Sequence, residues 1–150
     1  MSAPYPGDAA WFEAMRGFYR AVDRAVSRLG AACRSCGLCC HFEDGGQILF
    51  ASRLERLYFG ATAPAPPANP DGPAELLRSG GRCPFQAGGK CRARRGRPLG
   101  CRLHFCSRPA GEFSEFWHRR LKRLHESLGE EWRYAPFLPL RSAEKQAPRV

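Results

Sequence analysis

The chain has 150 residues, 43% of them hydrophobic and 11% aromatic, with eight cysteines and a formal net charge of +10. This composition excludes a globally disordered chain, and the length suits a single domain, 1–150, that buries its own core. The sequence shows neither a secretory leader nor an apolar run long enough to span a bilayer. We therefore expect a cytoplasmic protein, in a reducing compartment where structural disulfides are rare.

The first predicted element is an amphipathic helix over residues 8–29, with Asp8 as its N-cap and Gly30 as its end. Its apolar face repeats at three- and four-residue intervals through Trp11, Met15, Phe18, Val22, Val26 and Leu29. The aromatic side chains on this helix indicate core packing.

A cysteine knuckle follows the helix, and it places four sulfurs within eight positions, at Cys33, Cys36, Cys39 and Cys40. After it we predict a strand over 47–51 and a short helix over 53–59 that Ser52 caps. Residues 60–73 are rich in proline and are predicted to be a flexible loop, with one helical turn over 74–78.

The second cysteine segment spans 82–106 and contains Cys83, Cys91, Cys101 and Cys106. Gly88-Gly89 predicts a tight hairpin with Cys83 and Cys91 on its two arms. Pro98 is typical of a helix start, so Cys101 is expected on a short helix.

The last helix is predicted over 112–128, ended by Gly129, with an extended segment over 132–140 and a frayed tail over 141–150. We expect His118 and His125 to be surface or half-buried. The predicted fold is small, mainly α and metal-stabilised: two amphipathic helices bracket a loop-rich cysteine middle with short strands. The motif core is 33–106.

The spacing of the cysteines favours a metal site. Cys33, Cys36 and Cys39 match the three-cysteine spacing of a bacterial ferredoxin loop, but the fourth ligand of that pattern is absent nearby. A completing ligand must then come from the second segment. Zinc is the competing occupant, although the second segment has no CxxC pair.

Several alternatives stay open at this point. The even cysteine count allows a disulfide framework, and the neighbours Cys39 and Cys40 could form a vicinal disulfide switch. His41 and His104 could replace a cysteine as ligands. A nucleophilic cysteine is disfavoured because no cysteine stands apart with an activating histidine.

Arginines surround the cysteine segments, and positive charge stabilises thiolates. Thiolate-bound metal would lower the net charge to roughly +8 or +6. The run RARRGR at 92–97 indicates either a solvated basic loop or, more weakly, a surface for nucleic acid or an anionic partner.

Three elements together resemble the YkgJ-like CxxCxxCC cysteine-cluster family, whose domain is proposed to chelate zinc or iron. They are CRSCGLCC at 33–40, CPFQAGGKC at 83–91 and RPLGCR at 97–102. The resemblance implies metal chelation, and Cys106 is an addition to the pattern. A related cysteine region accompanies flagellin lysine N-methylases, but this chain has no recognisable methyl-donor domain, so an enzyme activity is left uncertain.

Our leading hypothesis is an iron–sulfur protein, with a 4Fe-4S cluster, that serves electron transfer, redox sensing or a larger enzyme. The predicted metal ligands are Cys33, Cys36, Cys39, Cys40, Cys83, Cys91 and Cys101, and Cys106 is a further candidate beside the cofactor. The alternative is a structural Zn²⁺ protein that binds nucleic acid or a protein partner through its basic loop. A protein or redox partner is expected, nucleic acid is weakly supported, and no membrane contact is expected.

Overall fold

A computed structural model describes residues 9–30, 49–64, 83, 85–87, 90–103 and 111–137. These residues are mostly helical, at 65%, with a few short strands, as the sequence predicts. No helix in this described part of the chain is both long and apolar enough to cross a bilayer.

The first helix, α1, spans Ala10–Arg28 and buries one stripe of side chains against the rest of the fold. The fully or nearly fully buried members are Trp11, Met15, Tyr19 and Val22. Gly30 has a φ of 64°, the left-handed conformation in which glycine carries no Cβ penalty, so the predicted end is confirmed. The proposed cap Asp8 lies outside the described residues.

The second helix follows directly from a short strand and begins with a capping box. Strand β1 is Phe50–Ser52 and helix α2 is Arg53–Thr62. Ser52 Oγ accepts a hydrogen bond from the Glu55 N–H, and a Glu55 carboxylate oxygen accepts one from the Ser52 N–H. The cap is as predicted, and the helix continues three residues beyond the predicted end at Phe59. Residues 65–78, predicted as loop and helical turn, lie outside the described residues.

The described part of the second cysteine segment forms a hairpin, a turn and a short helix. The predicted hairpin arm with Cys91 and helix with Cys101 are confirmed, whereas Cys83 lies ahead of the first strand. Strand β2, Gln86–Ala87, pairs antiparallel with β3, Lys90–Cys91. A 3-10 turn, Arg94–Gly96, leads to helix α3, Leu99–Arg102, which has Pro98 at its N-cap.

The long C-terminal helix, α4, spans Gly111–Ser127, and Gly129 follows it with a φ of 71°. The chain then returns as β4, Tyr134–Pro136, which pairs antiparallel with β1, with Ala51 opposite Ala135. The predicted extended segment is thus confirmed as far as Phe137, and the predicted tail lies outside the described residues.

One hydrophobic core joins these elements, because α1 packs against α2, α3 and α4. Its buried members are Trp11, Met15, Tyr19, Val22, Leu54, Tyr58, Leu99, Leu103, Trp117 and Leu121. Leu99 and Leu103 flank the helix that carries Cys101, and burying a leucine contributes about 1.5–3 kcal/mol. The core therefore holds α3 in place through both of its ends.

His125 corrects the sequence prediction, whereas His118 is half-buried as expected. The side chain of His125 has 0% exposure, and its Nδ1 donates to the Leu121 carbonyl at 2.9 Å. The ring of Trp132 lies edge-on to it at 5.1 Å. His125 follows Trp117 and Leu121 at four-residue intervals and so shares their buried face. Trp132, which covers it, comes from the segment that folds back after α4, and the helix pattern could not reveal that contact.

Candidate metal centre

The hairpin places Cys91 beside helix α2. Cys91 lies opposite Gln86 in the β2–β3 ladder, and its side chain is half-buried. Next to it, the Arg92 N–H donates to the Phe85 carbonyl at 2.7 Å. The ring of Phe85 packs edge-on against that of Phe59 on α2, with centroids 4.9 Å apart. This contact docks the hairpin on α2 and so positions Cys91.

Helix α3 presents Cys101, which is also half-buried. The Cys101 N–H donates to the Pro98 carbonyl at 3.0 Å, and the Leu99 N–H donates to the Glu55 carboxylate at 2.6 Å. A helix of one turn has little stability of its own, because nucleation is unfavourable. Glu55 and the buried leucines therefore set where this sulfur lies.

The 3-10 turn between the two cysteines lies tightly against α2. A Cβ at Gly96 would clash with Thr62 Oγ1 and would lie 3.3 Å from the Phe59 Cα. Only a residue without a side chain allows this close approach of the two backbones. Gly96 thus brings the segment between Cys91 and Cys101 against the helix.

Arg102 ties the same turn to α1. Its Nε donates to the Arg97 carbonyl at 2.8 Å and one NH2 group donates to the Arg95 carbonyl at 2.6 Å. The other NH2 group donates to both Asp23 carboxylate oxygens, at 2.9 and 2.7 Å. The guanidinium also lies 3.9 Å from the ring centroid of Tyr19. Arg102 is 5% exposed, so this fan of bonds is a buried structural clamp.

Arg97 is half-buried in the segment between Cys91 and Cys101. Burial lowers the pKa of Arg97, the like charges of Arg94 and Arg102 lower it further, and the charges of Cys101 and Cys91 raise it. Among the described residues, no acceptor reaches the buried Nε of Arg97.

Tyr19 and Tyr134 both feel the charges of Glu55 and Cys101. Burial raises the pKa of each tyrosine, and the charges of Glu55 and Cys101 raise both further. The Tyr134 hydroxyl lies 3.0 Å from Nε2 of His118, whose Nδ1 donates to the Ser114 carbonyl at 2.7 Å. These hydrogen bonds link β4 to α4.

Of the remaining predicted ligands, Cys83 is the one within the described residues. Cys83 is half-buried and precedes β2. The four cysteines of the knuckle at 33–40 and Cys106 lie outside the described residues, as do His41 and His104. Within the described ranges, no three His, Cys, Asp or Glu side chains cluster as a metal site would require. A full ligand set therefore needs cysteines from beyond these ranges.

The residues that are described fit a metal bound by thiolates. Thiolates accept N–H hydrogen bonds and carry negative charge, and Arg97, between Cys91 and Cys101 in the chain, offers a positive charge and a buried Nε donor that no acceptor reaches among the described residues. Two neutral thiols would offer the guanidinium neither a negative charge nor strong hydrogen-bond acceptors. The assignment of each cysteine as a ligand stays a prediction.

Comparison with family models matches residues 32–122 to CxxCxxCC, described as a "putative zinc- or iron-chelating domain". This match covers more than half of the chain. The protein belongs to the CxxCxxCC family. Neither the search of curated proteins nor the search of solved structures finds a match.

The CxxCxxCC region takes in all eight cysteines, from Cys33 to Cys106, and extends into α4. It also includes Glu55, which sequence reasoning had considered neither for the core nor for the site. The Ser-x-x-Glu pattern at 52–55 signals a capping box, but nothing local signals that the same carboxylate binds the start of α3. Asp23, which binds Arg102, precedes the matched region and was likewise missed, whereas Tyr19, which also contacts Arg102, was predicted only as a core aromatic.

Proposed function

We propose that this CxxCxxCC protein binds an iron–sulfur cluster, 4Fe-4S in type, between its two cysteine segments. Its role would be electron transfer, redox sensing or support of a larger enzyme. The observation that carries the proposal is the buried Nε of Arg97, which meets no acceptor among the described residues and lies in the segment between the half-buried Cys91 and Cys101. The family description supports chelation of zinc or iron.

The proposed ligands come from both segments. Cys33, Cys36 and one or both of Cys39 and Cys40 would provide the knuckle half, and Cys83, Cys91 and Cys101 would provide the other half. The ferredoxin-like spacing of the knuckle supports iron–sulfur, because three cysteines at that spacing bind one cluster in ferredoxins. Cys106 remains a further candidate.

A bound cluster would supply one-electron redox chemistry. The chain's own residues would set its surroundings. Glu55 and the buried leucines orient the Cys101 helix, and Gly96 draws the intervening turn against α2. Arg97 would donate to thiolate sulfur and balance its charge, which stabilises the more negative, reduced state.

Metal analysis of anaerobically purified protein tests this proposal. A brown protein with iron and acid-labile sulfide in near-equal amounts, and with broad visible absorption, is the expected result. A colourless protein with stoichiometric zinc would overturn the cluster and leave chelation intact. A correctly folded protein that holds neither metal after reconstitution would overturn chelation itself.

Single Cys→Ser variants then assign the ligands. C91S and C101S are each expected to lose the cluster or its normal spectrum, with the helical circular dichroism of the core retained. Comparing C39S with C40S shows which of the neighbouring sulfurs is needed, and C106S shows whether the eighth cysteine takes part. Full cluster content in both C91S and C101S would contradict the proposed ligand set.

A second candidate is a structural zinc protein that binds nucleic acid through the loop at 92–97. It is favoured by the exposed side chains of Arg92, Arg94 and Arg95, for which no acidic partner is found among the described residues. Phosphate contacts make binding steeply salt-dependent. Binding to single-stranded or duplex DNA that is unchanged when salt rises about fourfold would exclude this candidate.

A further inference from the structure

A groove lies between α1 and α4. It has a volume of about 430 Å³ and is lined by Ala21, Arg24, Ala25, Arg28, Phe116, Trp117 and Arg120. At about 100° per residue, Arg28 lies well around the helix from Asp23, the residue that binds Arg102. The groove and the Arg102 clamp therefore use different faces of α1.

The rim of the groove is strongly basic. Arg24 and Arg28 are exposed on α1 and, within the described residues, neither forms an ion pair. Together with Arg16 and Arg20 they repeat every four residues along the helix. Like charges at this spacing destabilise a helix by about 0.2–0.5 kcal/mol per pair, while Arg28 in the last turn interacts favourably with the helix dipole. The stripe therefore concentrates positive charge along one edge of the groove.

The third arginine of the rim is held by aromatic rings. The guanidinium of Arg120 lies 5.5 Å from the ring centroids of both Phe116 and Trp117. Phe116 is a large apolar side chain that is 44% exposed, and the small side chains of Ala21 and Ala25 leave the floor open. The groove thus combines three cations with an accessible apolar surface.

We propose that this groove binds an acidic segment of a partner protein that carries an apolar side chain among its carboxylates. The carboxylates would pair with Arg24, Arg28 and Arg120, and the apolar side chain would lie on the alanines and Phe116. A protein segment suits the groove better than nucleic acid. Single strands stack successive bases on several exposed aromatic rings, whereas of the two rings in this lining Trp117 is buried and only Phe116 is exposed.

The proposal does not depend on a bound metal. The two helices pack through their own apolar side chains, with Phe18 on α1 edge-on to Trp117 on α4 at 5.8 Å. Binding is therefore expected in metal-loaded protein and in metal-stripped protein that retains its helical circular dichroism. If metal analysis overturns the proposed cluster, the groove can still be tested.

Fluorescence anisotropy with defined probes tests the groove. The probe is a short fluorescein-labelled peptide of glutamates interrupted by leucines, compared with its lysine counterpart and with oligothymidylate of equal charge. The acidic peptide is expected to bind at low salt and the lysine peptide not to bind. The double variant R24E/R28E should weaken acidic-peptide binding at least about tenfold, which corresponds to about 1.4 kcal/mol.

The matched control is R119E/R123E, which makes the same charge change at two exposed positions on α4 outside the groove lining. The affinity of this control variant for the acidic peptide should stay within about threefold of the wild-type affinity, once the effect of its lower net charge is subtracted. The indole N–H signal of Trp117, assigned with W117F, should shift on titration in an NMR spectrum because this ring lines the groove.

Three results would overturn the proposal. The first is equal weakening in R24E/R28E and its control, which would reduce binding to net charge. The second is no acidic-peptide binding at low salt by folded protein. The third is oligothymidylate binding that is tighter than peptide binding and is lost in R24E/R28E, which would assign the groove to nucleic acid.

Discussion

The carboxylate of Glu55 accepts a hydrogen bond of 2.6 Å from the backbone N–H of Leu99, the first residue of α3. The same oxygen lies 3.3 Å from the Tyr19 hydroxyl, and the other oxygen accepts from the Ser52 N–H at 2.7 Å. Glu55 is completely buried. One carboxylate therefore joins α1, the start of α2 and the helix that carries Cys101.

Replacing Glu55 by Gln should destabilise the fold and loosen the Cys101 helix. The amide of Gln is nearly isosteric with the carboxylate, but it replaces one acceptor oxygen by an NH2 group. That NH2 group must then face a backbone N–H that had donated a hydrogen bond to the carboxylate. We expect a loss of about 1–3 kcal/mol in the free energy of unfolding, measured in urea. Metal should also leave E55Q faster when a chelator is added.

The control for this change is E126Q, an exposed position on α4, where we expect an effect within about 0.5 kcal/mol. An E55Q protein with wild-type stability and wild-type metal release would show that the hydrogen bond to Leu99 does not hold α3.

Replacing Arg102 by Met should be among the most destabilising single changes in the second cysteine segment. It keeps the apolar stem but leaves two buried carbonyls and Asp23 without their donor. The expected cost is about 2–4 kcal/mol by urea unfolding, with Asp23 contributing less because it is half exposed.

Lysine at position 102 should recover little of this loss, because one ammonium cannot span Asp23 and both carbonyls. The control is R95M, because the side chain of Arg95 is exposed on the 3-10 turn that Arg102 binds. If R102M and R95M unfold at the same urea concentration, the clamp is not structural.

Replacing Arg97 by Met should act on the metal rather than on the fold. Loss of the charge and donor of Arg97, between the proposed ligands Cys91 and Cys101, should speed metal release to a chelator by about tenfold, the lower end of the effect seen for residues that hydrogen-bond metal ligands. If the metal is a cluster, its reduction potential should fall, since a positive charge near the reduced state is lost.

The control for Arg97 is R94M, an exposed arginine three residues earlier. R97K keeps the positive charge, so its rate of metal release and its reduction potential should lie between those of wild type and R97M. Equal metal release and equal potential in R97M and R94M would remove Arg97 from the metal centre.

His125 should make the fold sensitive to mild acid. Burial lowers the pKa of His125 from its ordinary value of 6.5, and the Leu121 carbonyl and Glu130 oppose this shift only in part. Because the folded state binds the proton less readily than the unfolded chain, stability is complete above pH 6.5 and is lost as pH falls through the lowered value.

The test is urea unfolding of wild type and H125F over a range of pH below neutrality. Phe keeps a ring against Trp132 but cannot take up a proton, so the loss of stability on acidification should become shallower. Parallel pH curves for the two proteins would show that His125 does not carry this dependence.

Much of the local structure was predictable because it depends on neighbours in the chain. Ser52 caps α2, Pro98 starts α3 and Gly30 ends α1, since each relies on backbone preferences within a few residues. The hairpin that carries Cys91 was predictable for the same reason, because it too depends on neighbouring residues. The cysteine spacing and its flanking residues likewise indicated the CxxCxxCC family.

Contacts between distant segments were not predictable from these patterns. The burial of His125 depends on Trp132, and the role of Glu55 depends on Leu99, 44 positions later. The pairing of β1 with β4 joins residues more than 80 apart. Hydrophobic periodicity states which face of an element is buried, but not which other element covers it.

The sequence by itself determined the elements, the family and the chemistry available, because these follow from residue type and short-range spacing. Only the tertiary structure separated the two arginines of the RPLGCR element. Arg102 binds Asp23 and two carbonyls as a clamp, while the buried Nε of Arg97 meets no acceptor among the described residues. Packing of α3 against α1 and α2 decides between them, since it fixes which buried acceptors each side chain can reach.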